Sequence, residues 1–335
     1  MILCCGEALI DMIPSVNEKG QPSFTPYAGG AVFNTAIALG RLRARTGFLS
    51  GISSDLFGSL LRDTLARSNV DSSMAIISDR PTTLAFVQLT NGHASYIFYD
   101  ENTAGRLLDP ANLPELPDGT LALYFGGISL IGEPGSEFYA ALALRESPDR
   151  VIMLDPNIRA GFIKDERAYR ARLDRIIAHA DIVKVSDEDL NWIIPGMLSL
   201  DDKVSKICAM GPSLVILTKG GAGVAAAAQG RSMVSVMARR VEVVDTVGAG
   251  DTFNAGVLSK LSELRLLTKE ALKQISDEHI RMALEQGVRV AAITVSRSGA
   301  NPPWAEELAA ADALSDQRSE RSDSATTSAT PQTKE

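Results

Sequence analysis

Short apolar runs alternate with longer amphipathic stretches along most of this chain, the pattern of parallel strands joined by helices. Apolar runs at residues 2–10, 46–52, 121–125, 151–155, 181–185 and 214–218 predict core strands. Between them, apolar positions recur at helical spacing over 32–42, 57–68, 136–144, 166–179 and 203–209. Two regions break the rhythm: 11–27 is polar and turn-rich, and 82–99 alternates as a hairpin around Asn91-Gly92. Strands without intervening helices predict a small separate sheet, with segments at about 11–27 and 82–100, that is either decoration or a lid over a site. The fold class that follows is α/β, with a mostly parallel sheet flanked by helices. One domain is expected over 1–310 and a disordered polar tail over 311–335, where residues 315–335 have no apolar face to bury.

Composition narrows the function. A 335-residue chain that is 45% hydrophobic has ample material for a core. A net charge of −8 without a Lys/Arg cluster argues against a nucleic-acid partner. No apolar run approaches bilayer-spanning length, and Met1-Ile2-Leu3 enters a strand without a basic leader. Cys4, Cys5 and Cys208 make no disulfide framework, and the adjacent pair reads as small hydrophobes. A soluble cytoplasmic setting is the expectation. His93, His179 and His279 are scattered, which disfavours a histidine triad or metal cluster.

The most informative run is Asp245-Thr246-Val247-Gly248-Ala249-Gly250-Asp251-Thr252-Phe253, followed by Val257, Leu258 and Leu261 at helical spacing. A glycine-rich turn entering a helix presents free backbone N–H groups and the positive end of the helix dipole to an anion. Asp251 is either the cap of that helix or a base beside the anion. The run is no Walker A loop, because Lys and Ser/Thr do not follow at the required spacing. At the amino end, Gly6-Glu7-Ala8-Leu9-Ile10-Asp11 closes the first strand with an acid where ligands of open parallel sheets lie. Gly29-Gly30 then opens a helix carrying Asn34, a side chain with both donor and acceptor.

Together, the glycine pair with Asn34 and the Asp-Thr-x-Gly-Ala-Gly-Asp-Thr-Phe run resemble the two signatures of the ribokinase-like (PfkB-type) sugar kinases, from about Met1 to Trp304. Within that family the chain is most similar to bacterial fructokinases, through the Gly6–Asp11 stretch, Gly126-Gly127-Ile128-Ser129-Leu130-Ile131 and Asp155-Pro156-Asn157-Ile158-Arg159. The resemblance implies a doubly wound, mostly parallel α/β sheet flanked by helices with a small β-sheet lid, and ATP-dependent phosphorylation of fructose at its 6-hydroxyl. The same family includes kinases of 2-keto-3-deoxygluconate, ribose and nucleosides, and a non-catalytic sugar-binding regulator is the rival from another class. Asp251 then resembles the family's base, and the N–H groups of Gly248, Ala249 and Gly250 its anion hole. Asp11, Gly29, Gly30 and Asn34 resemble the sugar-holding residues, with Phe98 on the lid and Arg159 nearby. Thr218, Gly220, Gly221 and Gly223 resemble the nucleotide loop, joined by Ser186. Asp189 or Glu188 would hold Mg²⁺ through water, in a place where the family carries Asn-x-x-Glu. Asp245, Val247, Thr294, Arg297 and Gly299 match the family's potassium site. Family members often pair through the lid, so a homodimer is one expectation. Arg106 stands where many fructokinases differ, so a sugar acid facing Arg106 or Arg159 is the alternative substrate.

Overall fold

A computed structural model describes residues 1–90 and 93–311, with main chain alone at 88–90 and 93–96. Its centre is a nine-stranded sheet in the spatial order Val234–Val236, Val224–Ala228, Leu214–Thr218, Ile182–Ser186, Val151–Asp155, Ala122–Gly126, Ile2–Cys5, Thr46–Leu49 and Val70–Asp71. The first two pairings in this order are antiparallel and the other six parallel. Both faces are covered, as a parallel sheet requires. Helices Ala31–Arg41, Leu56–Arg67, Ala249–Glu263 and Asp277–Val295 pack on one face, around Phe33, Phe48, Leu258 and Ile280. Helices Gly135–Glu146, Glu166–His179 and Leu200–Ala209 pack on the other, around Phe125, Phe138, Ile177 and Val204. Cys4 and Cys5 point to opposite faces and are fully buried, packing as small hydrophobes.

The first strand has the second strand of the sheet on one side and a much later one on the other, so chain order reverses around it. Ligands of open α/β sheets bind beyond the carboxyl end of a strand at such a point. There the chain leaves the main sheet through Gly6-Glu7-Ala8 and enters a second, four-stranded sheet of spatial order Pro22–Gly29, Leu9–Val16, Leu84–Thr90 and His93–Tyr99.

The single strand expected over 2–10 is therefore two strands in different sheets, split where Glu7 turns to bond the backbone of Ala31 and Ser129. Likewise 46–52 breaks at Ser50, and Gly51–Ser53 pairs with Ile76–Ser78. The sequence pattern did not reveal the two antiparallel edge strands, because Val-Ala-Ala-Ala-Ala lacks the β-branched signature of a strand. It also missed the 19-residue helix Asp277–Val295, whose start is marked by the Ser276 cap. That helix takes Thr294 and Val295 into its last turn. The turn at Asn91-Gly92 and the tail over 312–335 lie outside the described residues.

Candidate active site

Gly248 enters the Ala249–Glu263 helix at φ +78°, a left-handed conformation that a side chain resists, and a Cβ there would press on Ala300. Asp251 is the third residue of the helix and Gly248 its N-cap, so Asp251 does not cap the end. Its buried carboxylate instead accepts a hydrogen bond from Asn34 Nδ2 at 2.9 Å, while its carbonyl accepts one from Thr35 Oγ1 at 3.1 Å. The two glycine-led helices thus meet at Asp251. Burial pushes its pKa up to about 7, with the Asn34 hydrogen bond and the Lys184 charge pulling the other way. The first-turn N–H groups beside it lack intrahelical acceptors by geometry, and that of Ala249 makes only a long 3.3 Å contact with the Thr246 carbonyl.

These groups border a cavity of about 340 Å³ whose lining includes Glu7, Asp11, Gly30, Asn34, Phe98, Asp155, Arg159, Lys184, Val247, Gly248, Ala249, Gly250 and Asp251. Asp11 stands on the Leu9–Val16 strand. Its carboxylate has no hydrogen-bond partner among the described residues, and burial pushes its pKa up to about 6. Such a carboxylate calls for hydroxyl donors. Gly30 has φ +113°, and a Cβ would come within 3.0 Å of the Glu7 carbonyl. Gly29 does not line the cavity, but a Cβ on it would run into the Asp11 carboxylate. Phe98 packs edge-on against Phe162, with ring centroids 4.7 Å apart. Arg159 is exposed at the rim, near the carbonyls of Asn157 and Ile158.

Two acids and a lysine were not foreseen. Glu7 is buried and holds two loops together, accepting from Ala31 N at 2.9 Å and Ser129 N at 3.2 Å. Asp155 Oδ2 accepts from Lys184 Nζ at 3.0 Å and Asn254 Nδ2 at 2.7 Å, and Asn254 Nδ2 also reaches the Tyr124 hydroxyl at 3.0 Å. The available signal was a lysine inside the apolar run Ile182-Val183-Lys184-Val185, where an unpaired charge would be costly.

The expected nucleotide residues lie along the same sheet edge but outside this cavity. Ser186 and Thr218 are register partners at the ends of adjacent strands, and Gly220–Ala222 forms the short 3-10 turn that follows. Gly223, at φ +99°, then leads into the next strand. Asp189 is taken up by its surroundings: its carboxylate accepts from Ser186 N, Ser186 Oγ and Ile158 N at 3.1, 2.8 and 2.8 Å. Ser186 caps the Asp187–Ile193 helix in a capping box with Asp189. Exposed Glu188 and buried Asp189 border a separate depression beyond Arg159. Asp245 ties two loops, accepting from Val247 N at 3.0 Å and Gly299 N at 2.9 Å. Thr294 Oγ1 is bound to the Val290 carbonyl, and Arg297 pairs with Glu307 at 3.0 Å.

Residues 1–307 match the pfkB family carbohydrate kinases. The chain belongs to that family. Over 282 residues this kinase is 52% identical to a fructokinase of Rhizobium leguminosarum bv. trifolii, covering 84% of this chain and 86% of that one. Its fold is similar to that of a Xylella fastidiosa fructokinase with bound ATP (TM-score 0.81, 25% identity, 93% of this chain and 98% of that chain). It is also similar to a Vibrio cholerae O395 fructokinase in a form with fructose, ADP and calcium (TM-score 0.75, 26% identity, 89% and 94%).

Proposed function

We propose that the kinase is an ATP-dependent fructokinase, transferring the γ-phosphoryl of ATP to the 6-hydroxyl of fructose. The observation that carries the reading is the placement of the buried Asp251 carboxylate at a helix start, held by Asn34 and bordering one cavity with the unpartnered carboxylate of Asp11. Asp11 and Asn34 orient sugar hydroxyls. Asp251 aligns the 6-hydroxyl and takes its proton late, because phosphoryl transfer passes through a loose transition state. The Gly248–Gly250 N–H groups stabilise charge on the transferred phosphoryl. The Phe98–Phe162 pair lines the way in and excludes water, the rival nucleophile.

Magnesium enters with the nucleotide, because Mg²⁺ is held mainly by its own waters, substrate phosphates and one or two carboxylates. When bound it neutralises charge on the leaving diphosphate. The Ser186–Asp189 and Thr218–Gly223 elements, next along the sheet edge, fit the nucleotide side of the site. Asp245 between Val247 and Gly299 fits a potassium ion, a hard cation that prefers oxygen donors. The small sheet exposes Phe24, Ile97 and Tyr99 on one face, which supports pairing of two copies through it. No helix among the described residues is long and apolar enough to cross a membrane.

A sugar acid fits less well. The guanidinium of Arg106 is held by the Asp100 carboxylate and the Glu133 carbonyl, bordering the neighbouring cavity rather than that of Asp251. The Asp251 cavity itself has four carboxylates (Glu7, Asp11, Asp155, Asp251) against two cations (Arg159, Lys184). The test is ADP release with MgATP and potassium on fructose, glucose, ribose, 2-keto-3-deoxygluconate and adenosine. Dominant turnover of fructose, with fructose 6-phosphate as product, is expected; preference for the sugar acid would overturn the reading.

A further inference from the structure

Lys184 occupies an unusual place for a lysine. It stands in a central strand of the sheet, 4% exposed, between valines that face the core. Its ammonium carries three donors, yet among the described residues its one hydrogen-bond acceptor is Asp155 Oδ2, at 3.0 Å. Asp155 does not depend on the lysine for satisfaction, since it also accepts from Asn254 Nδ2 at 2.7 Å and from Asn157 N at 3.1 Å. Lys184 also lines the cavity that Asp251 borders. A Cβ built on Gly250 would lie 3.4 Å from Nζ, so the ammonium sits directly beneath the glycine turn. A counter-ion for Asp155 alone would not need to reach that turn.

We propose that Lys184 is a catalytic residue that donates to a non-bridging oxygen of the transferred phosphoryl group, completing from the sheet side the anion hole formed by the Gly248–Gly250 amides. In the transfer, the bond between the sugar 6-oxygen and the γ-phosphorus forms while that between the γ-phosphorus and the β,γ-bridging oxygen breaks. The hydroxyl proton passes to Asp251, and Lys184 stays protonated throughout. The partners of Lys184 suit that constant charge. Burial pulls its pKa down, but the carboxylates of Asp155, Asp189 and Asp251 outweigh it and leave the net pKa above the ordinary value. Asp155, steadied by Asn254, is a positioning residue that fixes where Nζ points. The same ammonium lowers the pKa of Asp251, which links the anion hole to the base.

This inference rests on the kinase reading, so the wild-type protein is first confirmed to turn over fructose; absence of that turnover defeats the reading and not the lysine. Lys184→Met, Lys184→Arg and the double variant Lys184→Met/Asp155→Asn are then compared, the last removing the buried carboxylate that the first leaves unpaired. Lys184→Met is expected to lose about 10²–10³-fold in kcat with fructose KM within about threefold of wild type. ADP binding should persist, while the tighter binding of ADP with aluminium fluoride and fructose, which mimics the phosphoryl in flight, should be lost. The acid limb of the kcat/KM profile should move up by about one pH unit, because Asp251 loses a nearby cation. The double variant should regain thermal stability without regaining kcat, and Lys184→Arg should retain part of it. A double variant with near wild-type kcat, or aluminium fluoride binding intact in either Met variant, would overturn the proposal and leave Lys184 as a counter-ion for Asp155.

Discussion

Asp251 shows how one residue takes its role from its neighbours. An aspartate after Gly-Ala-Gly reads as a cap or a base; as the third residue of the helix it does not cap the end, and Asn34 and burial determine its chemistry. Asp251→Asn keeps an acceptor for Asn34 and is expected to lower kcat by about 10²–10⁴-fold while fructose affinity stays close to wild type, measured by turnover and calorimetry. The wild-type kcat/KM should fall as pH drops through about 7, because the base must be ionised to accept the proton. Stability responds in the opposite sense. The folded-state pKa of Asp251 lies above its ordinary 3.8, so its favourable, protonated contribution is complete below pH 3.8 and is lost as pH rises through about 7. Asp251→Asn removes that penalty, so its melting temperature should exceed wild type most at pH 8 and converge with it near pH 4. A gap independent of pH would contradict the burial argument. Asp11→Ala should raise fructose KM by about tenfold or more with less effect on kcat, since the lost interaction is made in both ground and transition states.

At the scale of elements, the site depends on where helices begin. The Ala31–Arg41 and Ala249–Glu263 helices both start on glycines with positive φ, and their first turns deliver Asn34 and Asp251 to the same point. Gly248→Ala forces a side chain into a left-handed position and against Ala300, which should cost about 1–3 kcal/mol. A melting temperature lowered by several degrees, together with reduced kcat, is the expected result. The motif glycines were legible because so few residues tolerate these conformations. The Glu7 clamp was less legible: nothing local distinguishes Glu7 from a loop acid until Ala31 and Ser129 are folded against it. The Val224–Ala228 strand went unseen because alanine carries no strand preference and the pairing that makes it a strand comes from Leu214–Thr218.

At the scale of the molecule, the first strand sits at the reversal point of the sheet and continues directly into the smaller one, so both sheets border the same cavity. The exposed aromatic and aliphatic residues of the small sheet lead to a further expectation: light scattering should give twice the 35.7 kDa chain mass, and Phe24→Lys with Ile97→Lys should give the single-chain mass. A single-chain mass for wild type would remove the pairing. By itself the sequence determined the alternating α/β pattern, the glycine turn and the acids at strand and helix ends, because these depend on local backbone geometry and on spacing within a dozen residues. Tertiary structure alone decided that the run over 2–10 divides between two sheets and that Asp251 faces Asn34. It also decided that Arg106 pairs with Asp100 and that Lys184 lies beneath the Gly248–Gly250 turn. Each of those depends on which distant segments burial brings into contact, and on the cost of leaving a charge unpaired once it is there.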